Sequence, residues 1–413
     1  MVKRMRHVLL LLVICSLRLL AQNAVLLHAT VIDGTGAAPL PDAAVVIAGG
    51  RIAAIGPAAK VKTPGGVPVI DLTGKTIIPG IINAHSHISD DPVVKLRHFA
   101  QYGITTTIGM GGDGEEQLKI RDDQRHGEIH GARVLTVQKR FEFEKDAPSP
   151  DAGRLGVEDL YKKGVDAVKV VVDSRRNTQV KLRPEITAAI IEQAHKHRLK
   201  VFAHIHDEED ARTLMGQGID MLAHQVRDKE VDDNFIALMK AKKVTMISAL
   251  VQILSFYMYA DSPAWLDDPF LTRVFPPERI QIAKTKLKED QSKAPEAAFN
   301  RQEFKIATAN FTKMLKAGVR LGLGTDSGPV PARFEGYFEH VEMEQMVKYG
   351  MTPMQVIQAF SRTNSEVLGI DKDYGTLAKG KVADLVVLDK NPLDDILNTR
   401  TINTVYIGGK KFE

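Results

Sequence analysis

The spacing of apolar positions changes twice along this chain. Over residues 24–75 the apolar runs are short: AVLLHATVID and AAVVIAGGRIAAIG alternate or run apolar, and Gly49-Gly50 supplies a turn. That texture predicts β-strands. From Thr76, apolar runs alternate with longer amphipathic stretches such as PEITAAIIEQAHKHRLK and EEDARTLMGQG. The strand candidates are TIIPGIINAHSH, ITTTIGMGG, ARVLTVQ, DAVKVVVD, KVFAHIH, DMLAHQV, VTMISAL and VRLGLGTDSG, eight in all. Near-continuous apolar strands separated by helices predict an α/β protein with a buried parallel sheet. Eight such units predict a closed (β/α)8 TIM barrel of about 250–300 residues; a doubly wound open sheet is the other arrangement this alternation allows. Strand texture returns in GKVADLVVLDK and INTVYIGGKKF. Residues 22–75 and 375–413 are therefore expected to form one small discontinuous β-sandwich domain, with the barrel, 76–374, inserted between them.

One segment interrupts the pattern. Residues 251–302 follow the seventh strand candidate and hold Tyr257, Tyr259, Trp265, Pro276-Pro277 and a charged helical stretch. An insertion at the C-terminal face of a barrel is a usual place for a lid. The same stretch also reads as a surface excursion with no part in chemistry.

The first residues follow a different logic. Lys3, Arg4 and Arg6 precede a mostly apolar run, Val8 to Leu20, interrupted by Arg18, and Ala21-Gln22 offers a cleavage point. This is the pattern of a signal peptide over residues 1–21, so a periplasmic or secreted protein is expected. The run is short for a membrane span, and Arg18 would be costly at a bilayer centre. Cys15, the single cysteine, lies in this leader, so no disulfide is expected in the mature chain. Four cations and no acid lie in the leader, and they account for the whole net charge of +4. The basic balance is thus no argument for nucleic-acid binding. The expected partner is a small-molecule substrate, with no nucleic acid, no membrane after cleavage, and a homo-oligomer left open.

Chemistry enters at the strand ends. In IINAHSHIS, His85 and His87 are two residues apart and share one face of a strand. Two such imidazoles suit one divalent metal ion, although the pair alone also fits two histidines bonded to backbone. Barrel enzymes place catalysis at the C-terminal strand ends. There the fourth strand carries Lys169, the fifth His204 and His206, the sixth His224 and the eighth Asp326, flanked by Gly322, Gly324 and Gly328. Several strand ends separately supplying metal-ligand types point to one convergent site. No G-x-S-x-G elbow, phosphate-binding glycine loop or cysteine-rich metal framework is present.

This set of HxH, Lys, His, His and Asp resembles the metal-dependent amidohydrolase superfamily. VIDGTGAAPLPDAAVVIAGGRIAAIG and GTLAKGKVADLVVLDKNPLDDI are similar to the two halves of its flanking β-sandwich. The likeness is strongest toward imidazolonepropionase-like members and prolidase-like or arginine carboxypeptidase-like dipeptidases acting on Xaa-Pro and Xaa-Arg bonds. The resemblance implies that His85, His87 and Asp326 bind one divalent metal, and His204 and His224 a second. Lys169, carboxylated by carbon dioxide, would bridge them; it also reads as a salt-bridged structural lysine. One or two zinc ions are expected per chain. Metal-activated water would attack an amide, cyclic amide or dipeptide C–N bond, with Asp326 as the catalytic proton shuttle. The alternatives are an esterase, lactonase or phosphotriesterase on the same site, or an inactive binding protein.

The substrate side is less legible. His206 competes with His204 for one ligand role and is otherwise a neighbour of the site. Tyr257, His206 and His340 are the weak substrate-binding candidates, with packing the other reading of His340. His195 and His197 fit a solvated helix face, and His98 an outer helix. The loop after the third strand, QKRFEFEKDAPSP, lacks the histidine of many dipeptidase-like relatives, and DSRRNTQVKLRP lacks their small-residue run. Both departures weigh against a dipeptide. Arg133, Lys139, Arg140, Arg175 and Arg176 read as carboxylate binders or as solvated charge.

Overall fold

The computed structural model describes residues 23–413 apart from positions 113, 177 and 332, so the leader expected over 1–21 lies outside the described residues. The strands, in chain order, are β1 (Ala24–Val31), β2 (Leu40–Ala48), β3 (Arg51–Pro57), β4 (Val69–Asp71), β5 (Thr76–Pro79), β6 (Ile81–Ser86), β7 (Ile104–Gly109), β8 (Arg133–Thr136), β9 (Arg140–Phe141), β10 (Val168–Val172), β11 (Val201–Ile205), β12 (Met221–Ala223), β13 (Thr245–Ile247), β14 (Leu321–Gly322), β15 (Leu385–Leu388), β16 (Ile402–Ile407) and β17 (Lys410–Lys411).

Both chain ends supply one eight-stranded sheet, ordered β17-β16-β15-β5-β1-β2-β3, with β4 beside β1. β5 is its keystone: it runs parallel to β1 and antiparallel to β15, with Thr76 opposite Leu388. Alternate side chains of this sheet, among them Leu26, Val45, Ile47, Leu385 and Val387, bury a common apolar cluster. Each such side chain contributes about 1.5–3 kcal/mol.

β6-β7-β8 form a three-stranded parallel sheet, and β9 to β14 a six-stranded parallel one. Helices Pro92–Gln101, Glu116–His126, Pro150–Lys162, Pro184–Lys196, Glu208–Gln217, Asp233–Lys242, Ala297–Lys316 and Tyr337–Lys348 alternate with these strands. Their starts follow local chemistry. Proline opens three of them, at 92, 150 and 184, and the Ser149 and Asp232 side chains accept from Ala152 N and Phe235 N. VKVVV and VFAHI are buried at every position, as strands covered on both faces must be. Backbone bonds join the two parallel sheets at their borders. Asp166 N donates to Thr136 O at 2.9 Å, and Ala84 N to Leu323 O at 3.1 Å.

TIIPGIINAHSH, expected as one strand, is two. Gly80 N still donates to Asp384 O in the terminal sheet, whereas Ile81 N donates to Gly103 O in the parallel one. The chain changes sheets at Gly80, where a Cβ would collide with the Thr105 side chain.

Residues 251–302 form short helical turns and the start of Ala297–Lys316. Tyr259, Leu271 and Phe275 are buried. Trp265 lies 5.3 Å from Tyr337 and Phe275 5.0 Å from Phe334, ring centre to ring centre. An aromatic cluster therefore roots this segment against helix Tyr337–Lys348. Among the described residues, no helix is long and apolar enough to cross a membrane.

Candidate metal centre

Two segments bring His85, His87 and Asp326 together. β6 and the residue that follows it carry both imidazoles, and the segment after β14 delivers the carboxylate. One ligand atom from each lies within 4.8 Å of the others. Asp326 Oδ1 is 3.3 Å from His85 Nε2 and 2.9 Å from His87 Nε2. The approach needs glycine on the eighth-strand side. A Cβ at Gly324 would lie 2.8 Å from His85 Cβ, and one at Gly328 would collide with the His87 carbonyl oxygen. Backbone bonds fix the register: Asp326 N donates to His85 O, and His87 N to Ser327 O, both at 2.9 Å.

A line of rings extends the site. His224 lies 4.7 Å from His85 and 4.6 Å from His204, centre to centre. β10 and β11 pair Lys169 with Phe202 and Val171 with His204, so this histidine lies two positions further along the neighbouring strand than the lysine. Among the described residues, the buried Lys169 Nζ, His85 Nδ1 and His224 Nδ1 have no hydrogen-bond partner. Surrounding groups take the other ring nitrogens. Gly111 O lies 3.0 Å from His87 Nδ1, and Asp173 Oδ2 2.9 Å from His204 Nε2, the bonds that orient an imidazole toward a metal. Asp326 and His224 both hold left-handed backbone, φ 54° and 70°, a strain of order 1–3 kcal/mol each that clusters at functional sites.

Burial sets the protonation states. It takes the Lys169 amine down to about 7, with Asp326 opposing and Arg140 assisting. It lowers His85 to about 3, aided by Lys169, and His204 to about 4 despite Asp173. His224 falls well below its ordinary value through burial and repulsion from the neighbouring imidazoles of His204 and His85. These imidazoles are neutral near pH 7, the form a metal requires. Burial pushes Asp326 up, but the Arg333 guanidinium and the two imidazoles outweigh it and hold the carboxyl well below the usual carboxylate range. Buried nitrogen atoms without partners, neutral imidazoles and an ionised carboxylate fit a divalent cation.

The amidohydrolase family model matches residues 76–412. The chain belongs to the amidohydrolase family. Members of this family share a TIM-barrel fold, in keeping with the parallel sheets and alternating helices. An ochratoxinase of Aspergillus niger is 25% identical over 236 residues, 56% of this chain and 41% of that one. An enamidase of Eubacterium barkeri is 28% identical over 177 residues, 39% of this chain and 43% of that one. The chain thus spans under half the length of these curated relatives. Among solved structures, molinate hydrolase superposes with a TM-score of 0.80 at 20% identity, covering 95% of both chains.

Other candidates in this chain fall outside the cluster or at its edge. His206 is bonded to Asp207 at 2.6 Å and to Glu303 on helix Ala297–Lys316. His340 has both ring nitrogens engaged, by Thr399 Oγ1 and Tyr102 O at 2.9 Å, within the aromatic core. Tyr257 is buried against Phe304 under Arg301. His98 pairs with Glu335, His195 with Asp220 and His197 with Glu158. Arg133 is not solvated charge. It lies over Tyr374 at 4.1 Å and pairs with Asp384. Arg140 and Arg175 share the buried Glu142 beside the site, while Arg176 donates to Asn300 at 2.7 Å. Lys139 lies 5.4 Å from the Phe141 ring.

Three residues near the site escaped the sequence reading. Asp173 stands four residues after Lys169, a spacing that strand alternation could have flagged. Arg333 donates to both the carboxylate and the carbonyl of Asp326. Arg227 is buried beside β11 and donates to Ile205 O at 3.1 Å. Nothing local in the sequence distinguishes these arginines from solvated ones.

Proposed function

We propose that this chain is an exported metal-dependent hydrolase that cleaves a C–N bond of a small molecule: an amide, cyclic amide or dipeptide. The observation that carries the reading is the meeting of His85, His87 and Asp326 within 4.8 Å, beside a buried lysine amine without a partner. Relatives named ochratoxinase and enamidase support amide-type substrates. In this reading the two parallel sheets are arcs of one (β/α)8 barrel. The terminal sheet belongs to a β-sandwich domain over 22–75 and 375–413, and residues 1–21 are a cleaved leader.

His85, His87 and Asp326 would hold one divalent ion, zinc by the character of the donors. His204 and His224 would hold a second, with Lys169 bridging as the carbamate. A divalent ion held there would lower the pKa of a water and polarise the scissile carbonyl. Asp326 accepts the attacking water's proton and returns it to the leaving nitrogen. Arg333 keeps that carboxylate ionised. Asp173 occupies His204 Nε2 and leaves Nδ1 free to face the site. Phe256, exposed and 5.4 Å from the Arg333 guanidinium, offers the substrate an apolar wall.

The test is hydrolysis by zinc-loaded and chelator-stripped protein of N-acyl amino acids, Xaa-Pro and Xaa-Arg dipeptides, lactams and aryl esters. Metal-dependent turnover of a C–N substrate is expected. Turnover confined to esters would replace this reading with an esterase, lactonase or phosphotriesterase. Stable protein that takes up no metal and turns over nothing would leave a binding protein. N-terminal sequencing of exported protein should begin near Gln22.

A further inference from the structure

Helix Tyr337–Lys348 carries a buried acidic side chain, Glu339, that is hydrogen-bonded to residues beside the candidate ligands. Glu339 is fully buried. Its Oε1 accepts from three side chains: Asn83 Nδ2, Thr325 Oγ1 at 2.7 Å and Ser327 Oγ at 2.9 Å. Asn83 Nδ2 also donates to Thr325 Oγ1 at 3.0 Å, and its Oδ1 accepts from His85 N at 2.9 Å. One oxygen atom therefore gathers the strand that bears His85 and His87 and both neighbours of Asp326.

The placement meets a specific need. Asp326 sits at φ 54°, a conformation that a non-glycine residue keeps only when its surroundings over-determine it. Thr325 and Ser327, on either side, turn their hydroxyls away from the cluster and onto the same acceptor. The strain at Asp326 is held from behind while its carboxylate faces the two imidazoles.

We propose that Glu339 is a positioning residue that sets the spacing of His85, His87 and Asp326 through Asn83, Thr325 and Ser327. This rests on the reading of those three residues as a metal centre. The hydrogen bonds require an acceptor at Oε1, which the side-chain carbonyl of glutamine also provides.

Cobalt(II) is the probe. Its visible absorption bands report ligand geometry, competition with a chelator reports affinity, and thermal melts of metal-free protein report the fold. Glu339→Ala should shift the bands and weaken cobalt binding by about tenfold or more, the range seen when outer partners of metal ligands are lost. Glu339→Gln should keep the wild-type bands and affinity even if its melting temperature falls. Should Glu339→Ala fail to fold, Thr325→Val and Ser327→Ala each remove one donor, and both should shift the bands by a smaller amount. Wild-type bands and affinity in Glu339→Ala or in both hydroxyl variants would overturn the proposal, as would a Glu339→Gln variant as impaired as the alanine. Wild-type protein that binds no cobalt would instead sink the metal-centre reading and the proposal with it.

Discussion

Metal-free protein should become more stable when Lys169 is replaced by methionine. The amine is buried with no hydrogen-bond partner among the described residues, and burial takes its pKa from 10.5 to about 7. Between those two values the unfolded chain keeps a proton that the native chain has released. Stability therefore rises with pH across this window, and the full cost is present below it. The whole difference is about 5 kcal/mol, and about 4 kcal/mol remains near pH 7, where the native amine is half protonated. Methionine has similar length and carries no charge. Lys169→Met should accordingly gain up to about 4 kcal/mol near pH 7, an advantage that shrinks toward pH ~10. The assay is denaturant unfolding in chelator and carbon-dioxide-free buffer, from about pH 6 to about pH 10. A variant no more stable than wild type near neutrality, or a gap that does not narrow with rising pH, would refute the reasoning. It would mean that the ammonium has a partner that offsets its burial. With zinc and bicarbonate restored, the variant should lose activity.

Other outcomes follow from the same geometry. His87→Ala should remove metal from at least one position by elemental analysis, because Gly111 and Asp326 cannot replace the lost ring nitrogen. Asp326→Asn should keep the fold but lower kcat by roughly 10²–10⁴, measured on any substrate the wild type cleaves, since an amide accepts no proton from water. Asp173→Ala frees His204 to turn, and metal affinity read by chelator competition should fall by about 10–100-fold with little loss of stability.

The candidate ligands were legible because strand alternation makes a local rule. His85 and His87 share a face by spacing alone, and TDSG after an apolar run marks a strand end that glycine allows to lie close. Lys169, His204 and His224 stand out as polar residues within or ending apolar strands. The partners that hold them were not legible, since they depend on contacts between distant segments. Glu339 and Glu342 in GYFEHVEMEQM look like the wet face of a helix, yet both are fully buried. Glu342 accepts from Leu250 N at 3.0 Å and Val251 N at 2.7 Å, at the root of the insertion. Arg333 likewise gains its meaning only when the chain folds back to Asp326. The break at Gly80 was hidden for the same reason: an apolar run does not say which sheet each half joins.

That break has a consequence for the order in which the molecule can be made. β5 is sandwiched between β1 and β15, with Thr76 waiting for Leu388, and β6 begins one residue beyond it. The footing of the histidine-bearing strand is therefore completed only by a segment far downstream of it. Pairing of this kind, between residues far apart in sequence, closes a large loop before it is rewarded, and such steps are slow. A growing chain can form its local strand–helix units early, but β5 gains its second neighbour only once β15 has been synthesised. Loss of β15 would thus strike the centre from a distance, by leaving β5 with one neighbour instead of two.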